Sequence, residues 1–112
     1  MSPEASLTYE VKKSRDEELG VDVTTIYCHG RLVNDTAGKI KELVKPMIGE
    51  HGGHIVIDLG DVNYLDSSGL GTLVGLKVTA LKTGLCRLEL ANLTPRVKEL
   101  LSLANLTSLF AK

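Results

Sequence analysis

The run Asp66-Ser67-Ser68-Gly69-Leu70-Gly71 is the part of this 112-residue chain best placed to do chemistry. Two adjacent hydroxyls follow a carboxylate and precede an apolar pattern of helical period. Asp66 reads as the N-cap of that helix, because its carboxylate can accept hydrogen bonds from the free backbone N–H groups of the first turn. Ser67 and Ser68 then stand in the first turn, at the positive end of the helix dipole. A phosphate on Ser67 is favoured there by roughly 0.3–1 kcal/mol for an exposed site. Gly69, Gly71 and Gly75 remove side-chain bulk beside it, so another backbone can approach closely. The helical period puts Leu76 roughly opposite the core-facing stripe, among Thr72, Gly75 and Thr79, where it can join a docking surface. The result is a small, flat, serine-bearing platform.

Other chemistries fit these residues less well. A nucleophile elbow needs glycine two residues before the serine, but Leu65 stands there for Ser67 and Asp66 for Ser68. A dinucleotide fingerprint lacks its third glycine, since Val74 occupies that place, and no Gly-Lys-Ser or Gly-Lys-Thr closes a phosphate loop. Asp58 and Asp61 alone are too few to build a metal site, and Asp58 at a strand end is better matched to local backbone or water. His29, His51 and His54 have no ligand spacing for a closed centre. Cys28 and Cys86, far apart and in apolar strand-like surroundings, read as buried free thiols. Neither a cofactor nor a metal is expected.

The elements that must hold the platform follow from periodicity. After a loose start at residues 1–6, Leu7, Tyr9 and Val11 alternate with polar neighbours as a half-exposed strand. Lys13 to Gly20 reads as a turn into a second strand, Val21 to Cys28, giving an antiparallel hairpin. His29-Gly30-Arg31-Leu32 leaves that strand, and Asn34 or Asp35 is expected to cap a helix with Ala37, Ile40, Val44 and Met47 as its stripe, supported by Leu43 and Ile48. Pro46 predicts a kink or an irregular last turn, and Gly49, Gly52 and Gly53 stop the helix. A buried strand over 54–59 runs through a turn at Gly60-Asp61 and the segment 62–65 to Asp66. Leu70, Leu73, Val74 and Leu81 form the expected core face of the next helix, with Lys77 unexplained on the same stripe. Thr83-Gly84 ends it. Cys86, Leu88 and Leu90 mark another strand. Thr94-Pro95 starts a helix with Val97, Leu100, Leu101 and Ala104 on its stripe. Leu106 to Phe110 is expected to form a short final strand. Alternating strands and helices from residue 54 onward predict right-handed crossovers and a partly parallel sheet.

Composition bounds the function. The length suits one domain with one core. The chain is 43% apolar and 24% charged, as in an ordinary soluble globular protein. A net charge of −1 offers no general basic field for DNA or anionic lipid, and with 4% aromatics and no Trp there is little to stack on bases. No apolar run approaches the roughly 18 residues that span a bilayer. Met1-Ser2-Pro3-Glu4 lacks the features of a secretory signal, so the cytoplasm is the expected location.

Ile57-Asp58-Leu59 followed by Leu65-Asp66-Ser67-Ser68-Gly69-Leu70-Gly71 resembles the STAS domain of bacterial anti-sigma factor antagonists. Gly30-Arg31-Leu32, Thr36-Ala37 and Leu93-Thr94-Pro95-Arg96-Val97 fit the same family at the right spacing, so the resemblance covers roughly residues 7 to 110 of a single domain spanning 1–112. It implies an α/β fold: a small mixed sheet of about four to five strands with helices mainly on one face. It also implies partner switching. The unphosphorylated domain binds an anti-sigma factor that is itself a serine kinase, which frees a sigma factor. Phosphorylation of the residue matching Ser67 breaks that complex, and a phosphatase resets it. The chain is then a substrate and a binding partner with no catalysis of its own. The implied switch surface is Asp66, Ser67, Ser68, Gly69, Gly71, Thr72, Gly75 and Leu76, with Arg31, Asn34 and Asp35 in the loop beside it. The family often has Asp after Gly-x-Leu, whereas Val33 stands there in this chain and Asp35 is the next acid. Two other roles compete: a STAS subunit of a lipid-transport ATPase complex, and a regulatory domain that senses a small ligand such as a nucleotide.

Overall fold

The computed structural model describes residues 7–48, 53–84 and 86–110. The expected loose start at 1–6, the helix stops at Gly49 and Gly52, and His51 lie outside the described residues. Four strands, β1 (Leu7–Asp16), β2 (Val21–Leu32), β3 (His54–Leu65) and β4 (Arg87–Ala91), form one sheet in the order β1-β2-β3-β4. β1 and β2 are antiparallel, and the other two pairs are parallel. Helices α1 (Asn34–Val44), α2 (Ser67–Thr83) and α3 (Pro95–Leu103) complete the domain. This is the small mixed α/β sheet that the sequence implied.

The register explains where the core sits. Val11, Ile26, Ile57 and Leu90 lie in one row across the sheet. Ile26, Ile57 and Leu90 are buried, while Val11 at the edge strand is 38% exposed. The covering helices α1 and α2 connect parallel neighbours β2–β3 and β3–β4, and right-handed crossovers put both on the same face. They pack on each other and on β2 to β4, and α1 reaches β1 at its start, where Lys39 Nζ donates to the Leu7 carbonyl at 3.4 Å. Ile40 and Val44 from α1 join Leu73, Leu76 and Ala80 from α2 in that core, with Val97 and Leu101 added from α3.

Besides β2 running on to Leu32, so that His29-Gly30-Arg31-Leu32 stays within the strand, four expectations about elements change. β1 continues to Asp16, so Lys13 to Asp16 is strand and only 17–20 turn the chain. Charged residues are tolerated there because β1 is an edge strand exposed along most of its length. No turn interrupts β3 at Gly60-Asp61. The register to β2 slips twice instead, between Tyr27 and His29 and again between Gly30 and Arg31, where β3 carries the extra residues. The slips re-aim the strand: Ile55, Ile57 and Leu59 are buried, and after them Val62 and Leu65. Asp58 anchors the first slip, accepting the Gly60 N–H at 2.9 Å and the Asn92 side-chain amide at 2.6 Å. Leu106 to Phe110 makes a short 3₁₀ turn, Thr107–Leu109, and adds no fifth strand. Its Leu106 N–H closes back on the Leu101 carbonyl at 2.8 Å, ending α3 before the chain can extend.

The fourth change is the face of α2. Its buried residues are Gly69, Leu73, Leu76 and Ala80. Leu76 is 3% exposed and Leu81 60% exposed, the reverse of the expectation. Apolar residues surround α2 so fully that their period barely distinguishes neighbouring faces. Leu70 and Val74 are half-buried on its flank. Lys77 is resolved at the same time: its Nζ donates to the Leu88 carbonyl at 2.7 Å, with the stem along the helix–sheet seam. At Pro46, α1 gives way to a 3₁₀ turn, Lys45–Met47, the irregular ending that proline imposes.

Candidate functional site

Two helix starts meet at Asp66. The residue takes an extended conformation as N-cap of α2, and its Oδ1 accepts the Gly69 N–H at 2.9 Å. Its Oδ2 accepts the Asn34 N–H, the first of α1, at 3.3 Å. Its own N–H donates to the Leu32 carbonyl at 3.3 Å. One carboxylate therefore serves the orphan donors of both helices, while the Asp66 backbone N–H ties the junction to the end of β2.

Gly69 makes this junction possible. A Cβ there would lie 2.1 Å from the Leu32 carbonyl oxygen and 2.9 Å from its carbon. The close approach predicted for the glycines is thus met within the chain at Gly69, and this contact sets which side of α2 faces the sheet. Gly71 and Gly75 differ. A Cβ on either would meet nothing within 4 Å.

Neither Asn34 nor Asp35 caps α1. The N-cap is Val33, which has no side-chain acceptor. The buried Thr36 takes over: its Oγ1 accepts the Val33 N–H at 2.9 Å and donates to the Arg31 carbonyl at 2.6 Å. Sequence reasoning missed this role for Thr36, although a hydroxyl at the third helical position, reaching back as in a capping box, was a readable signal. Asn34 contributes its backbone N–H to Asp66, and Asp35 is exposed in the same first turn. Arg31 stacks on the ring of Tyr64 with its guanidinium carbon 4.2 Å from the centroid, and its Nε is buried without a hydrogen-bond partner. Arg31 and Tyr64 are register partners near the ends of β2 and β3, so this pair flanks the junction that leads into Ser67.

Ser67 and Ser68 are both exposed. Lys41 of α1 and Lys45, just past its end, face Ser68, Gly71, Thr72 and Gly75 of α2 across a groove of about 440 Å³, which the buried Leu76 also lines. The expected switch residues therefore fall into two groups. Asp66 and Gly69 build the junction, while Ser67, Ser68, Gly71, Thr72 and Gly75 present a surface. Leu76 contributes to the core, because the contact at Gly69 rotates it inward.

A family model described as the STAS domain matches residues 15–112 of the chain. The chain belongs to the STAS domain family. Solved structures share the fold. An anti-sigma factor antagonist from Mycobacterium paratuberculosis superposes with a TM-score of 0.73 at 22% identity, covering 97% of this chain and 86% of that one. The anti-sigma factor antagonist SpoIIAA in its unphosphorylated form gives 0.71 at 18% identity, covering 90% and 84%. The Bacillus cell fate determinant SpoIIAA in its phosphorylated form gives 0.68 at 18% identity, covering 90% and 86%.

Away from the junction, this STAS domain holds a second polar cluster. His29 Nδ1 lies 2.6 Å from Asp61 Oδ2 and its Nε2 lies 3.0 Å from Glu10 Oε1. The hydrogen bond to Asp61, and then that to Glu10, raise the imidazole's pKa above its usual 6.5. Burial, with the charge of Asp58 as a smaller cause, pushes the Cys28 thiol up to about 12. Burial also raises Cys86. Both cysteines are free thiols, with Cys28 buried and Cys86 only half-covered. No cluster of His, Cys, Asp and Glu suited to a metal occurs among the described residues. No described helix is long and apolar enough to cross a membrane.

Proposed function

We propose that this STAS domain is an anti-sigma factor antagonist that works by partner switching through Ser67. The observation that carries the reading is the exposed Ser67 hydroxyl at the start of α2, beside a carboxylate already committed to two backbone donors. Asp66 holds the helix start rigid and leaves Ser67 presented to a partner. The unphosphorylated domain binds an anti-sigma factor, also a serine kinase, and so frees a sigma factor. The kinase then moves the γ-phosphoryl group of ATP to Ser67 Oγ. The Oγ–P bond forms, the bond from phosphorus to the bridging oxygen breaks, ADP leaves and the hydroxyl proton is released. A phosphatase hydrolyses the ester and resets the domain. The domain itself catalyses neither step.

Phosphorylation adds about −1.5 to −2 charges at neutral pH. The helix N-terminus tolerates that anion, so the fold changes little and the effect falls on the interface, where the dianion must be desolvated or meet partner charge. A change of about 3 kcal/mol weakens binding by more than a hundredfold. Pull-downs from native lysate with wild type and Ser67→Asp as parallel baits test the reading. A kinase-like anti-sigma factor recovered by wild type alone is the expected result. Equal recovery of a membrane ATPase complex by both baits would overturn it.

A further inference from the structure

We propose that the groove between α1 and α2 docks an acidic helical segment of the partner; this rests on the partner-switching reading and specifies its interface. Gly71 and Gly75 are the first reason. Each sits inside a helix, where glycine is less favourable than alanine. A Cβ on either would meet nothing within 4 Å, whereas one on Gly69 would strike the Leu32 backbone. Packing within the chain therefore explains Gly69 and leaves the other two without an internal cause. Spaced four apart, they lie on one face, and together they allow a second helix closer than the usual interaxial 8–10 Å. A local cost with no return inside the fold marks a contact outside it.

Charge decides the occupant. Lys41 and Lys45, also four apart, line the groove from the α1 side, and no carboxylate lines it. Among the described residues neither lysine is in an ion pair, although both also line an adjoining hollow with Gly38, Glu42 and Pro46. Ser68 and Thr72 add hydroxyls, and the positive end of α2 lies at the Ser68 end of the groove. Two lysines facing small and hydroxyl-bearing residues match a helix with small residues along its centre and Asp or Glu along one edge. Such a helix ends beside Ser67, so a phosphoryl group there confronts the partner's own negative charge.

The test is an NMR titration of the ¹⁵N-labelled full chain with a synthetic stapled helix of alanine bearing Glu at every fourth position. The same helix with Lys in those positions is the control. Amide shifts confined to residues 41–45 and 68–79 are expected with the acidic helix alone. Affinity should fall at least about tenfold in the Lys41→Glu, Lys45→Glu double variant and also in Gly71→Leu, whose added side chain enters open space. Absence of groove shifts, binding unaffected by charge reversal, equal shifts with inorganic phosphate, or self-association of the free chain through this face would each overturn the docking proposal. Ser67→Asp separates the two readings. Weakened binding of the acidic helix supports both, whereas undiminished binding leaves the groove in place and removes the Ser67 switch.

Discussion

At the scale of single residues, Asp66 and three glycines carry the site, and each has a distinct physical reason to be what it is. Asp66 uses two oxygens for two helices. Asp66→Asn keeps one acceptor and should cost about 1 kcal/mol, while Asp66→Ala loses both and should cost about 2 kcal/mol, as read from urea unfolding midpoints. Equal costs for the two variants would mean that the bond to Asn34 contributes nothing. Gly69→Ala forces a Cβ to within 2.1 Å of a carbonyl oxygen, and backbone must move; a loss of about 3 kcal/mol is expected. Gly71→Ala should instead raise stability by up to about 1 kcal/mol, because the methyl group enters open space and alanine favours the helix. Opposite signs for two glycines two residues apart would separate an internal contact from an outward-facing one.

At the scale of elements, His29 ties β1 to β3 across β2 through Glu10 and Asp61. Its pKa is raised in the folded chain. The ion pairs therefore stabilise the sheet below the unfolded value near 6.5, and that contribution is lost as pH rises through the higher folded value. Urea midpoints of wild type should fall across that window, and those of His29→Gln should fall less. Parallel curves would show that the cluster adds no stability. Lys77 links α2 to β4 in another way, by its stem and a hydrogen bond to the Leu88 carbonyl. Lys77→Met keeps the stem and should cost about 1 kcal/mol; Lys77→Ala also loses packing and should cost more.

At the scale of the whole molecule, α1, α2 and the ends of β2 and β3 converge on one junction, and the surface that bears Ser67 is built on it. The junction depends on the Asp66 carboxylate, on backbone groups and on the close contact at Gly69, not on the exposed serine. Circular dichroism and thermal melting of Ser67→Asp should thus resemble wild type, and a collapsed melt would contradict an interface-level switch. Cys28 reports on the same integrity. With its thiol buried and its pKa near 12, it should stay unreactive toward a thiol reagent at pH 8 until the domain unfolds, whereas the half-covered Cys86 should react sooner.

What the sequence determined by itself was local. Asp66 and Thr94 cap the helices they were expected to cap, with Thr94 Oγ1 accepting the Val97 N–H at 3.3 Å, and Gly84 ends α2 in the left-handed conformation at φ 66°. These features rest on bonds spanning a few residues, so spacing alone reveals them. The alternation of strands and helices was legible for the same reason, and the Asp-Ser-Ser-Gly-Leu-Gly run tied it to a family. Only the tertiary structure decided the rest. The bond from Asn34 to Asp66 joins residues 32 apart in sequence. The inward turn of Leu76, the outward turn of Leu81 and the division between Gly69 and the other glycines follow from the meeting of α2 with the Leu32 backbone. The slips in β3 exist only relative to β2. Contacts between distant segments set these features, and periodicity within one segment carries no information about its neighbour's surface.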